Sequence, residues 1–194
     1  MRVVAGLAKG VPLRAPGASN QTRPTTDRVR EAVFSVFADL AGTAGGPAEA
    51  QLAGLSLFDL YAGSGALAVE AMSRGAARAV AVDSAASAVA AIRANAQAAK
   101  LTVTAVRASV ADFLKRQPAT PFDIVWLDPP YDVTGDAVDE VLALVGNGWL
   151  APGGLVALER SARDAAPNWP AGLAPHSSRR YGETVVHFAQ EATP

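Results

Sequence analysis

The chain has no cysteine, and that absence removes several kinds of chemistry at once. Disulfides, thiolate zinc sites, iron–sulfur clusters and cysteine nucleophiles are excluded. Histidine is nearly as scarce: His176 and His187 are the only two, late in the chain and with no partner at ligand spacing. Neither a metal site nor a histidine triad is expected, and both histidines read as core or surface residues. Long apolar runs are missing, so no membrane span is expected. The start "MRVVAGLAKG" lacks the apolar centre and cleavage site of a signal peptide. A cytoplasmic protein is the expectation.

What is present is a chain of 194 residues, half apolar, with 17 Gly and 13 Pro. That suits one globular domain, or one with a small appendage. The net charge of −1 conceals an asymmetry. Residues 1–30 hold Arg2, Lys9, Arg14, Arg23, Arg28 and Arg30 against Asp27 alone, or +5; the remaining 164 hold 11 basic and 17 acidic side chains, or −6. A basic arm on an acidic body suggests a polyanionic partner docked at one place. From charge alone, a merely solvated segment stays open.

The spacing predicts a short hairpin around "AKG" and then a helix in "TTDRVREAVFSVFADLAG". Thr26 or Asp27 caps it, Val29, Val33, Phe34 and Phe37 form its apolar face, and Gly42 ends it. Residues 42–54 read as a surface linker. From Leu55 onward strands alternate with helices: "LSLFDLYAG", "GALAVEAMSRG", "ARAVAVD", an Ala-rich helix capped by Ser84, "LTVTAVRA", "VADFLKRQ", "FDIVWLD", "GDAVDEVLALVGN" and "GGLVALER". A closing hairpin turns at Tyr181–Gly182. Such alternation means an α/β fold, a largely parallel sheet covered on both faces. The natural division is an arm, 1–54, and a catalytic domain, 55–194.

Two motifs carry chemistry. "DLYAGSGALA" sets a glycine turn between strand and helix, where Gly63 and Gly65 let backbone approach a ligand. Asp83 follows Gly63 by 20 positions at the next strand end, where an acid can receive both ribose hydroxyls. This points to an adenosine cofactor, although "GSGALA" also fits a dinucleotide fingerprint. Asp59, four residues before Gly63, would repel a pyrophosphate but suits the ammonium of a methionine moiety. S-adenosylmethionine is thereby favoured over a dinucleotide.

The second motif is "DPPY", Asp128, Pro129, Pro130 and Tyr131, after the apolar run "FDIVWL". Two prolines cannot continue a strand. An exocyclic amino group on a nucleobase is a poor nucleophile because its lone pair is delocalised. Acceptors on both its N–H bonds favour pyramidal geometry and aim the lone pair. The Asp128 carboxylate and the Pro129 carbonyl can be those acceptors, with Tyr131 stacked on the base, a contact worth roughly 1–3 kcal/mol. The site works by positioning and preorganised electrostatics, with no covalent intermediate. A base inside a duplex must be unstacked to reach it.

These motifs, with "RPTTDRVRE" (23–31), "DLYAGSGALAVEAMSRGA" (59–76), "DIVWLDPPYD" (123–132) and "NGWL" (147–150), resemble the RsmD family of bacterial 16S ribosomal RNA guanine-N2 methyltransferases. The resemblance covers nearly the whole chain. It implies a class I, Rossmann-like methyltransferase fold: a seven-stranded sheet with its last strand antiparallel, preceded by a small hairpin. It implies cofactor contacts from Asp59, Tyr61, Gly63, Ser64, Gly65, Asp83, Ser84, Ser109, Val110 and Asp128. Asp128 to Tyr131 would hold the guanine amino group, and Arg23, Arg28 and Arg30 would lie near RNA phosphates. Where related enzymes often carry Asp or Asn against the adenine amino group this chain has Ser109, so that contact is expected from backbone around Ser109 and Val110. The expected partner is 16S rRNA or a small-subunit assembly intermediate, with monomer as the default state. The rivals are a DNA adenine-N6 or cytosine-N4 methyltransferase, which would need an element to read a groove, and a non-catalytic RNA-binding assembly factor.

Overall fold

The apolar strands read from the sequence all enter one sheet. The computed structural model describes residues 1–17, 26–116, 118–130 and 132–192. Its strands are β1 (Ser56–Leu60), β2 (Arg78–Asp83), β3 (Thr104–Arg107), β4 (Phe122–Leu127), β5 (Leu150–Ser161), β6 (Leu173–Tyr181) and β7 (Thr184–Glu191). They form a seven-stranded sheet in the order β3-β2-β1-β4-β5-β7-β6. The first five are parallel; β7 runs antiparallel to both of its neighbours, β5 and β6. This is the class I methyltransferase arrangement. The expected closing hairpin is present, but Tyr181 pairs with Thr184, which moves the turn to Gly182–Glu183.

The helices are α1 (Asp27–Leu40), α2 (Ala66–Ser73), α3 (Ala86–Ala98), α4 (Val110–Leu114) and α5 (Gly135–Gly146). Side chains alternate across each strand, so Leu57, Ile124, Trp126 and Ala157 face one layer, built with α1, α2 and α3. Phe58, Leu60, Val125 and Leu127 face the other, built with α4 and α5. Both faces of the central strands are covered, which is why β1 is buried along its whole length. Among the described residues no helix is long and apolar enough to cross a membrane.

Helix α1 starts as its sequence implies, with the Thr26 hydroxyl accepting from Val29 N. Ser84 does not cap α3. The N-cap is Ala85, without a side-chain bond of its own, and the Asp83 carboxylate accepts from the Ala85 N–H instead. The N-terminal hairpin is reduced to one antiparallel bridge, Arg2 with Pro12, closed by Val3 and Gly10–Val11 backbone bonds. Nor is 42–54 a free linker: it holds a tight helical turn, Ala48–Ala50, and Leu52 is fully buried with its N–H on Arg74 O. Residues before position 55 thus share the core of those after it.

The hairpin is held by polar side chains rather than strand pairing. Glu70, wholly buried on α2, accepts from Val4 N at 2.7 Å and Ala5 N at 2.9 Å. Its carboxylate also meets Arg74 Nε at 2.9 Å and Arg30 Nε at 3.6 Å. Ser73 Oγ accepts from Ala8 N and donates to Ala5 O. Asn95 on α3 binds both backbone groups of Arg14 and donates to Ser64 O in the glycine loop.

Candidate active site

A cavity of about 340 Å³ opens at the carboxyl ends of the parallel strands, where ligands of open α/β sheets bind. The size lies within the range of small-molecule sites. Asp59, Tyr61, Gly63, Ser64, Asp83, Ser84, Ser109, Val110, Asp128, Pro129 and Pro130 all line it. Motifs up to 71 positions apart (Asp59 to Pro130) therefore meet in one place.

The glycine turn is shaped for approach. Gly63 has φ +53° with open space where a Cβ would stand. Its N–H donates to Asp83 Oδ2 at 2.9 Å, while Ala85 N donates to Asp83 Oδ1 at 2.8 Å. Each carboxylate oxygen keeps a lone pair, so the acid is fixed in orientation and can still accept two hydroxyls. Gly65 is different. It does not border the cavity; at φ +72° it is the N-cap of α2, and a Cβ there would come within 2.9 Å of Ile92 Cγ1. Its role is close packing of α2 on α3.

Asp59 is 2% exposed, with Oδ2 accepting from Ala68 N. Burial pushes its carboxyl well above the usual carboxylate range, opposed by the Ala68 N–H and reinforced by the nearby charge of Asp83. Such a site favours a cation arriving beside it. Tyr61 holds a left-handed backbone, φ +60°, which a non-glycine residue adopts only under constraint. Burial raises its phenol pKa, and the charge of Arg160 works against that rise.

Ser109 caps α4, its hydroxyl oxygen accepting from Asp112 N at 3.1 Å. Asp128 N binds Leu60 O, tying the end of β4 to that of β1, and Pro129 is buried behind it. The Pro130 carbonyl accepts from Val133 N and closes a turn into α5. Tyr131 lies outside the described residues.

The three arginines assigned to RNA separate. Arg23 lies outside the described residues, and Arg28 is exposed on α1. Arg30 is fully buried, so no phosphate can reach it. It donates to Arg2 O and pairs with Asp27 at 2.8 Å and with Glu70, which makes it a tie between arm and body. The cavity also takes residues the motifs did not indicate. Met1, Ala15 and Pro16 come from the arm, Trp126 from β4, and Glu159, Arg160, Ser161 and Thr184 from β5 and β7.

The acids, glycine turn and apolar walls Leu67, Trp126 and Val110 fit an adenosyl group carrying a cationic tail. The chain is similar to known methyltransferases. The chain is 32% identical over 190 residues to ribosomal RNA small subunit methyltransferase D of Escherichia coli, covering 98% of this chain and 89% of that protein. It is 34% identical over 137 residues to an rRNA methyltransferase, YlbH, assigned provisionally in Bacillus subtilis, covering 68% and 67%. Among solved structures, yhhF of Escherichia coli, provisionally described as a methyltransferase, superposes with TM-score 0.81 at 29% identity over 98% of this chain and 97% of that one. The Thermus thermophilus 16S rRNA N2 methyltransferase RsmC, solved with AdoMet and guanosine, shares the fold at TM-score 0.66 and 20% identity, over 91% of this chain and 45% of that one. The sequence model of the family described as Conserved hypothetical protein 95 matches residues 1–190. The chain belongs to that family, the RsmD family of rRNA methyltransferases.

Proposed function

We propose that the protein transfers a methyl group from S-adenosylmethionine to the exocyclic N2 amino group of a guanine in small-subunit (16S) ribosomal RNA. One observation carries the reading: Asp128 and Pro129 stand at the end of β4 in the same cavity as the glycine turn and Asp83. When bound, adenosylmethionine supplies a methyl group made electrophilic by its sulfonium. Asp83 accepts the ribose hydroxyls, held in place by Gly63 N and Ala85 N. Asp59 faces the ammonium of the methionine moiety. Burial raises the pKa of its carboxyl, and a cation beside it would favour the ionised form. The Ser109 hydroxyl already caps α4 and is a weaker acceptor than a carboxylate, and adenine contact falls to backbone around Ser109 and Val110, with Tyr61, Ser64 and Ser84 completing the wall.

The Asp128 carboxylate and the Pro129 carbonyl accept the two N–H bonds of the guanine amino group, turning its lone pair towards the methyl. Pro130 stiffens the turn, and Tyr131 stacks on the base. Rate comes from orientation, with no nucleophile on the protein. Arg28, with Arg23, supplies phosphate contacts. We place the reaction in the cytoplasm, on 16S rRNA or a small-subunit assembly intermediate, by a monomer.

Tritiated-methyl transfer tests the reading directly. Small subunits lacking the modification, naked 16S rRNA and duplex DNA are offered in parallel, and the labelled nucleoside is identified by mass spectrometry. N2-methylguanosine from the ribosomal substrates is the expected product. Label in DNA adenine or cytosine would favour the rival amino-methyltransferase, and no label at all would favour a non-catalytic binder.

A further inference from the structure

Strand order divides the cavity into two sides. The glycine turn, Asp83 and Ser109 follow β1, β2 and β3, and Asp128 follows β4 in the middle. Beyond it, on β5 and β7, stand Glu159, Arg160, Ser161 and Thr184. A cofactor over β1 and β2 leaves this far side for the target base. Arg160 is the one basic side chain lining the cavity among the described residues; the acids lining the same cavity are Asp59, Asp83, Asp128 and Glu159.

The Arg160 side chain is 10% exposed and doubly tethered. Its Nη2 lies 2.8 Å from Asp164 Oδ2 and donates to Val133 O at 3.3 Å. Both contacts engage Nη2, and a guanidinium carries further N–H donors on Nε and Nη1. A cation this buried, held by an acid on one side and the chain just after the DPPY turn on the other, has its orientation set before any ligand arrives.

We infer that Arg160 reads the target base by donating to the O6 carbonyl of the guanine whose amino group Asp128 and Pro129 hold. Guanine presents acceptors at O6 and N7, where adenine offers an amino group in place of O6, and arginine is the usual partner of that acceptor pair. The inference rests on the functional reading above. The same donors that welcome guanine reject adenine, so Arg160 is a specificity-determining residue, whereas Asp128 would hold an amino group of either base.

The test compares parent, R160M and R160K in methyl transfer to unmodified small subunits. Guanosine and 2-aminopurine riboside, which keeps the 2-amino group and lacks O6, serve as competing inhibitors. The parent should be inhibited about 10- to 100-fold more tightly by guanosine. R160M should lose that preference while binding adenosylhomocysteine as the parent does. R160K keeps the charge without the planar fork and should give an intermediate ratio; it carries the comparison if R160M fails to bind adenosylhomocysteine. An unchanged ratio in the variants, or equal inhibition of the parent by both nucleosides, overturns the assignment. A parent that labels no guanine brings down the functional reading and this inference with it.

Discussion

Replacing Glu70 by Gln tests how the arm is fixed to the body. The carboxylate is fully buried and serves two backbone N–H groups, at 2.7 and 2.9 Å, besides two buried arginines. Gln keeps the shape but loses the charge and one acceptor oxygen. Arg30 and Arg74 then remain buried, with Asp27 as the carboxylate left within reach of Arg30. Removing one partner of a buried ion pair costs about 3–5 kcal/mol. The lost N–H bonds overlap with that term, so we take about 4 kcal/mol in all. In a chain of this size each kcal/mol moves Tm by about 2–4 °C, giving a fall of about 8–16 °C. Scanning calorimetry measures it, and hydrogen exchange at Val4 and Ala5 should quicken alongside. A fall below about 3 °C with those amides still protected would refute the reasoning.

Asp59→Asn should raise the Tm of the ligand-free protein at neutral pH while weakening cofactor binding. Burial raises the folded-state pKa above the unfolded one, so stability is fullest below the ordinary carboxylate pKa and falls as pH rises through the raised value. The Asn variant should lack that fall, and superimposable Tm–pH curves for the two proteins would contradict it. Gly65→Ala should destabilise by about 1–3 kcal/mol, because its Cβ meets Ile92 at an unfavourable φ. Gly63→Ala should cost about 1 kcal/mol in stability yet weaken adenosylhomocysteine binding; denaturant titration and calorimetry separate the two effects. Arg28→Ala should lower the salt slope of RNA binding by about 1, whereas Arg30→Ala should lower Tm and leave that slope alone. Equal slopes for Arg28→Ala and parent would remove Arg28 from the interface.

The parts of this fold visible in the sequence are those whose signals are local. Strand runs from Leu55 onward, the capping Thr26 and the turn at Gly63 each need only neighbours a few residues away and stand as read. The N-terminal hairpin, by contrast, is reduced to one bridge, and Gly65 packs on Ile92 instead of lining the cavity. The two acids of the proposed cofactor site were legible because Asp59 and Asp83 sit at fixed offsets from one turn. Glu70 and Asn95 were not, since their partners lie 66 and 81 positions away and nothing in a helical repeat marks them. Arg30 is a different case. It precedes Val33, Phe34 and Phe37 by three, four and seven positions, which puts it on the apolar face of α1. Reading its charge before its position placed it on the surface. Ser84 misled in the same way: a serine before a helix suggests a cap, but Asp83, already turned towards the loop, reaches the amide first. Arg160 has no motif of its own and becomes visible only when β5 is laid beside β4.

The central claim is that the Asp128 carboxylate carries the rate by holding the amino group of the target base, with at most a minor part in cofactor affinity. Single-turnover methyl transfer to unmodified small subunits by Asp128→Ala, with adenosylmethionine affinity measured on the same preparation, tests it most directly. The account predicts a loss of at least about 100-fold in rate with cofactor affinity within about threefold of the parent. A variant that still transfers methyl at the parental rate, or one slow only because it no longer binds adenosylmethionine, would contradict it.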